Sequence, residues 1–166
     1  ILYWNNDSTR LPAKFHAQMI DIFTDNLLVQ PGALTVLGTP IDLAQVDCDK
    51  YMLAGVTDHI TPWRGVFNTS RAFGGENTFV VSSSGHVQSL INPPGNPKSK
   101  FLLNPNPVAD ADEWLAGAQT TAGTWWVHWR DWLATRSGKR QPAPKALGSK
   151  KHPPRDAAPG TYVREP

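Results

Sequence analysis

Apolar positions along the chain fall into helical stripes and short continuous runs. Phe15, Met19, Ile22 and Phe23 recur at helical spacing, and Pro12 just ahead of them suits a first helical turn. Gln30-Pro31-Gly32 breaks that stripe, and "ALTVLGTPIDL" then reads as short extended pieces interrupted by Gly38 and Pro40. Two runs differ from these. "KYMLAG" at 50–55 is mostly apolar, and "NTFVVS" at 77–82 is rich in β-branched and aromatic residues. Both read as strands, the first of them buried. Between them, Thr61 as N-cap and Pro62 at the first position open a helix carrying Trp63, Val66, Phe67 and Phe73, and Gly74-Gly75 closes it. Strand, helix, strand in that order predicts a right-handed parallel crossover. Further on, "NPPGNP" is a loop, and 110–136 reads as a helical region. There Trp125, Trp129, Trp132 and Leu133 form a wide aromatic face whose ordinary use is core packing. Residues 1–11 read as irregular, with a turn signal in "NNDS". From Ser137 onward Pro, Gly, Lys and Arg dominate, and that tail lacks the apolar content for a core of its own.

Composition narrows the classes. With 166 residues, 40% of them hydrophobic, the chain suffices for one domain with a real core. The net charge is +2, and much of the basic excess lies in Lys139, Arg140, Lys145, Lys150, Lys151, Arg155 and Arg164. Elsewhere the signs are mixed, so no nucleic-acid footprint is expected. A single cysteine, Cys48, excludes an internal disulfide framework and fits a reducing compartment. No run of about 18 apolar residues is present, so no transmembrane helix is expected, and the N-terminus has no signal-peptide pattern. The chain begins at Ile1, without Met, directly on "ILYW". Native termini are usually polar, so we read the chain as a fragment of a longer protein.

The candidate chemistry lies after the two strand-like runs. "AGVTDHITPW" delivers Asp58, and "VVSSSGHVQS" delivers His86. In a parallel crossover both leave the sheet at its carboxyl edge, where open α/β sheets place their sites. Either residue alone has a plain alternative, Asp58 as a turn cap and His86 as a satisfied loop histidine. As a pair they follow the acid-then-base order of the α/β-hydrolase triad, in which a carboxylate fixes the imidazole that takes the nucleophile's proton. His59, adjacent to Asp58, points elsewhere and is expected to bond the following turn or to support the pair from behind. His16, His128 and His152 lack acidic or Cys/His partners at ligand spacing, so no metal site is expected. No G-x-S-x-G or G-x-C-x-G box occurs. Cys48 precedes the first strand and so belongs at the opposite sheet edge, roughly 20 Å from Asp58 for six residues at about 3.3 Å each; it is expected there as a small buried hydrophobe. The chain therefore offers an acid and a base but no nucleophile.

Longer stretches carry more. "LYWNNDSTRLP", "PIDLAQVDCDKYMLAGVTDHITPW", "FVVSSSGHVQSLINPPGNPKSKF", "TWWVHWRDWLATRSG" and "PGTYV" resemble the C-terminal part of bacterial polyhydroxyalkanoate synthases, in particular the class II, medium-chain-length type. The resemblance covers essentially the whole chain. It implies an α/β fold: the C-terminal part of an α/β-hydrolase core, a parallel sheet with crossover helices, plus part of a cap region. It places a cap segment at 1–40, catalytic core at 41–136 and a basic, Pro-rich tail at 137–166. Apolar residues of the first segment, among them Tyr3, Trp4, Phe15 and Phe23, would serve substrate entry, a dimer contact or ordinary core burial. The resemblance further implies a Cys-Asp-His triad with Asp58 as acid and His86 as base, its Cys lying upstream of Ile1. The fragment alone would then be inactive. The implied substrate is an (R)-3-hydroxyacyl-coenzyme A thioester, polymerised with release of coenzyme A and without metal or redox cofactor. Implied partners are the polyester granule surface and a second copy in a homodimer, at a cytoplasmic location.

Two other readings remain open at this point. One is an esterase or lipase-like hydrolase on the same fold with an upstream Ser. The other is a non-enzymatic granule-binding module, suggested by the aromatic helix and basic tail.

Overall fold

The computed structural model describes residues 5–161; Tyr3, Trp4 and Arg164 lie outside them. The chain divides into two compact units, one comprising 18–137 and the other 1–17 with 138–166. Helix α1 (Ala13–Thr24) forms where the apolar stripe predicts it, but none of its residues is buried. Phe15 and Phe23 remain exposed. A 3-10 turn at Leu27–Val29 follows. Strands β1 (Thr35–Val36) and β2 (Thr39–Pro40) then pair as a small antiparallel hairpin. A second 3-10 turn, Leu43–Gln45, leads into the main sheet.

That sheet has four strands in chain order, β3 (Lys50–Gly55), β4 (Asn77–Ser82), β5 (Lys100–Leu103) and β6 (Gln119–Ala122). β3 and β4 are parallel, in continuous register from Lys50 opposite Asn77 to Gly55 opposite Ser82. Helix α2 (Trp63–Ala72) forms the crossover between them, as the sequence predicts. The protein is thus α/β, and the parallel pair extends into two antiparallel strands, β4 with β5 and β5 with β6.

The region read as helical at 110–136 contains three elements: α4 (Ala111–Ala116), β6 and α5 (Trp125–Arg136). Gly117 follows α4, and Gly123, at φ +100°, turns the chain from β6 into α5. The strand between them, "QTTA", is exposed throughout, so no apolar period announces it. The Thr pair between two glycines is its only trace.

Alternation along the strands gives the sheet two different faces. Met52, Ala54, Phe79 and Val81 share one face and pack with Trp63 and Phe67 of α2 and Trp114 of α4. Phe79 and Trp114 meet edge to face at 5.0 Å between ring centres, and Phe67 and Phe79 at 5.5 Å. The opposite face meets α5 through polar-tipped aromatics. Trp132 Nε1 donates to Thr78 Oγ1 at 3.1 Å, and the Tyr51 hydroxyl lies 2.9 Å from His128 Nδ1.

Two local expectations change. Helix α2 starts at Trp63 with Pro62, not Thr61, in the capping position, because the Thr61 hydroxyl bonds Asp58 instead. Cys48 is exposed rather than buried. β3 begins only at Lys50, so Cys48 sits in the surface connection leading to it.

Burial pushes the Tyr51 phenol up, so it stays protonated where it hydrogen-bonds His128. Burial also lowers the pKa of His128, partly opposed by the charge of Asp131. A histidine held below its unfolded value of about 6.5 contributes its full stability above that pH and loses it as the pH falls. The melting temperature should therefore drop as the pH is lowered from about 6.5. In His128→Gln this acid limb should be flatter; an unchanged limb would assign it to other groups.

Candidate active site

The carboxyl ends of β3 and β4 are held side by side beyond the strands themselves. Val56 N donates to Ser82 O at 2.9 Å and Thr57 N to Ser84 O at 3.4 Å. Ser83 N bonds Lys100 O of β5 at 3.0 Å. The approach is close enough to demand glycine at the end of β3. A Cβ on Gly55 would lie 2.2 Å from Ser89 Oγ and 2.6 Å from Ser84 O. Ser89 is fixed there because its hydroxyl is within bonding distance of the carbonyls of Ser84 (2.9 Å) and Gly85 (2.5 Å).

Out of this junction the chain delivers Asp58 in a turn and His86 at the start of a short helix, α3 (His86–Leu90). His86 thus opens a helix where the sequence suggests a loop. The structure brings the two residues together: His86 Nδ1 lies 2.9 Å from Asp58 Oδ2. Asp58 accepts three further bonds. Its Oδ1 takes the amides of Ile60 and Thr61, both at 2.9 Å, and its Oδ2 takes the Thr61 hydroxyl at 2.7 Å. The carboxylate caps the turn and holds the imidazole at the same time.

Its environment is asymmetric. The Asp58 side chain is 6% exposed, that of His86 41%. Burial by itself would raise the Asp58 pKa. The bonds from the Thr61 amide and hydroxyl, from His86 and from the Ile60 amide reverse this and hold the carboxyl well below the usual carboxylate range. An ionised carboxylate only accepts hydrogen bonds, so Nδ1 carries the proton that joins the pair. In the neutral ring the lone pair then lies on Nε2, and no described residue hydrogen-bonds that atom. The arrangement can take a proton from a hydroxyl or thiol brought to Nε2 and hold the resulting imidazolium against a negative charge.

The other candidates stand apart. His59 is exposed and bonds neither Asp58 nor His86. His16 and His152 are exposed as well, and His128 belongs to the α5 face. Cys48 precedes the opposite end of β3 from Asp58. Among the described residues no Ser, Thr or Cys side chain bonds His86, and no group of three His, Cys, Asp or Glu could hold a metal ion. Thr61 was missed as a partner of the acid, although an Asp followed three residues later by Thr is a common turn-capping pattern.

A carboxylate–imidazole pair at the carboxyl ends of parallel α/β strands has the geometry that nucleophilic and hydrolytic sites use for their acid and base. Comparison with known proteins narrows that class. No protein-family model matches the chain. Poly(3-hydroxyalkanoate) polymerase 1 of Ectopseudomonas oleovorans is 50% identical over 99% of the chain, and polymerase 2 of the same organism 48% over 98%. The poly(3-hydroxyalkanoate) polymerase subunit PhaC of Cupriavidus necator is 35% identical over 99%. The chain is a relative of the poly(3-hydroxyalkanoate) polymerases from end to end, and spans 30%, 29% and 28% of the length of these three.

Two outcomes follow from this geometry. Gly55→Ala should cost about 1–3 kcal/mol by denaturant unfolding, since a strand end and a loop must part to admit the methyl; an unchanged midpoint would show that the junction yields freely. Thr61→Val removes a donor to Asp58 Oδ2 and should raise the Asp58 pKa, read by carboxyl-carbon NMR titration. A value equal to or lower than the parent's would deny the hydroxyl its part.

Proposed function

We propose that this chain supplies the acid and base of a polyhydroxyalkanoate synthase. Asp58 is the acid and His86 the base of a Cys-Asp-His triad, and the cysteine comes from polymerase sequence outside this chain. The chain alone would accordingly be inactive. The observation that carries the reading is the 2.9 Å bond between Asp58 and the Nδ1 side of His86, which leaves Nε2 available as the proton acceptor. The names of the relatives, poly(3-hydroxyalkanoate) polymerases, support a polymerisation, and on our reading it proceeds by transfer of acyl units into a polyester. An acid–base pair serves hydrolysis equally well, but those names favour transfer.

The substrate on this reading is an (R)-3-hydroxyacyl-coenzyme A. His86 Nε2 takes the thiol proton, and the thiolate attacks the thioester carbonyl. The tetrahedral intermediate collapses, the bond to the coenzyme A sulfur breaks, and that sulfur leaves with the proton from His86. In the next step His86 takes the proton of a 3-hydroxyl. The new ester bond forms as the acyl–cysteine bond breaks, and the cysteine sulfur regains a proton. One thioester is exchanged for another at similar energy, which suits thiolate chemistry. Asp58 keeps the imidazole in the required tautomer and stabilises its charged form throughout. Exposed Ile60, Val87, Leu90 and Ile91 lie on the two segments that carry Asp58 and His86, a composition suited to an apolar acyl chain. Medium-length chains, a homodimer, and a cytoplasmic place at the granule surface complete the proposal.

In a polymerase bearing this segment, His86→Ala and Asp58→Asn should each lower the release of free coenzyme A thiol by about 10²–10⁴-fold. The circular dichroism spectrum should remain that of the parent. A rate within about threefold of the parent for either variant would remove that residue from the triad.

A further inference from the structure

The helix that carries His86 is only five residues long. A helix that short does not hold itself in water, and its last carbonyls have no partners within it. Two indole rings supply them. Trp125 Nε1 donates to Ser89 O at 2.6 Å and Trp126 Nε1 to Leu90 O at 2.9 Å. Next to them the Thr124 hydroxyl donates to Asn92 O, and Asn92 Oδ1 accepts from Ser99 Oγ at 2.6 Å. Three consecutive residues at the start of α5 therefore tie down three carbonyls between positions 89 and 92.

The other end of α5 is anchored independently. Trp132 bonds Thr78 of β4, His128 bonds Tyr51 of β3, and Arg136 Nε donates to Asp49 at 2.7 Å, just ahead of β3. The sheet thus fixes α5, and α5 fixes the C-terminal end of α3. The His86 ring has one side-chain hydrogen bond, to Asp58, and is 41% exposed. Asp58 can orient the ring only if α3 presents its Cβ in the right direction. Packing accounts for aromatic rings on α5; it does not account for two adjacent indoles aiming their N–H groups at the same short helix.

We propose that the indole N–H groups of Trp125 and Trp126 are positioning groups that cap α3 and hold His86 against Asp58. Their effect on turnover rests on the reading of His86 as the base. Their effect on the placement of the ring does not.

The test uses Trp125→Phe, Trp126→Phe and the double variant, which keep an aromatic ring and lose the N–H. Trp132→Phe is the control, because it removes a bond of the same kind from the same helix without touching α3. In the 166-residue chain, imidazole NMR follows the His86 Nδ1 proton. In the double variant that proton should exchange with water at least about tenfold faster, or broaden away. In Trp132→Phe it should match the parent while the melting temperature falls. Parent-like exchange in the double variant would overturn the proposal. So would equal acceleration in the Trp132→Phe control. Should the double variant not fold, Trp126→Phe reads the same signal, with faster exchange expected and parent-like exchange overturning. In a polymerase bearing the segment, the double variant should lose about tenfold or more in kcat with KM little changed. A fully active His86→Ala would sink the functional reading and leave the NMR result to decide the placement of the ring.

Discussion

The parallel pairing of β3 with β4 is the constraint on which the rest depends. Six residues face six without a bulge, so the two strands end level, Gly55 beside Ser82. Backbone bonds then carry the alignment on into the loops, through Val56 to Ser82 and Thr57 to Ser84. Asp58 comes three residues past one strand end and His86 four past the other. A slip of two residues would move one of them by roughly 6.6 Å along the strand and leave the carboxylate and the imidazole out of reach. The close approach at Gly55 and the lock of Ser89 onto the Ser84 and Gly85 carbonyls belong to the same alignment.

Asp58 shows how one carboxylate serves two ends. Buried carboxylates are costly when charged, yet this one is nearly covered and strongly acidic, because four donors converge on its two oxygens. Two of these are backbone amides of its own turn, fixed before any partner arrives. The turn therefore prepares the charge, and the charge prepares the imidazole. A neutral acid at this position would lose its hold on the Nδ1 proton and with it the preference for a lone pair on Nε2.

Much of this was legible in the sequence, for identifiable reasons. β3 and β4 are short, apolar and bounded by turn residues, and their limits match the runs at 50–55 and 77–82 residue for residue. Parallel order followed from the helix between them, and with it the meeting of Asp58 and His86. The antiparallel half of the sheet was not legible. "KFLL" is four residues between Pro-rich loops, and "QTTA" is an exposed strand with no apolar period. Both depend on neighbours already in place, so local pattern says little about them. Cys48 lies at the sheet edge expected of it, ahead of β3; its burial was misjudged because cysteine is commonly buried, while its actual setting is a surface connection. Trp125 was read by its ring and Trp126 was not singled out; what distinguishes both is the direction of an N–H, which depends on where a distant segment lies.

That last point separates the two sides of the sheet physically. The α2 and α4 side is held by contact area: the rings of Phe67, Phe79 and Trp114 meet at 5.0–6.2 Å between centres. Such packing tolerates substitution by other apolar groups of similar volume. The α5 side is held by direction. Three of its indoles each donate one hydrogen bond, to Ser89, Leu90 and Thr78, and a tyrosine and a histidine share a fourth. No residue of α5 is fully buried, so area alone would attach the helix weakly. Directional bonds from half-buried aromatics hold it in one register instead. A segment that must place a ring nitrogen to within a fraction of an ångström is better served by contacts that fail when misaligned than by contacts that slide.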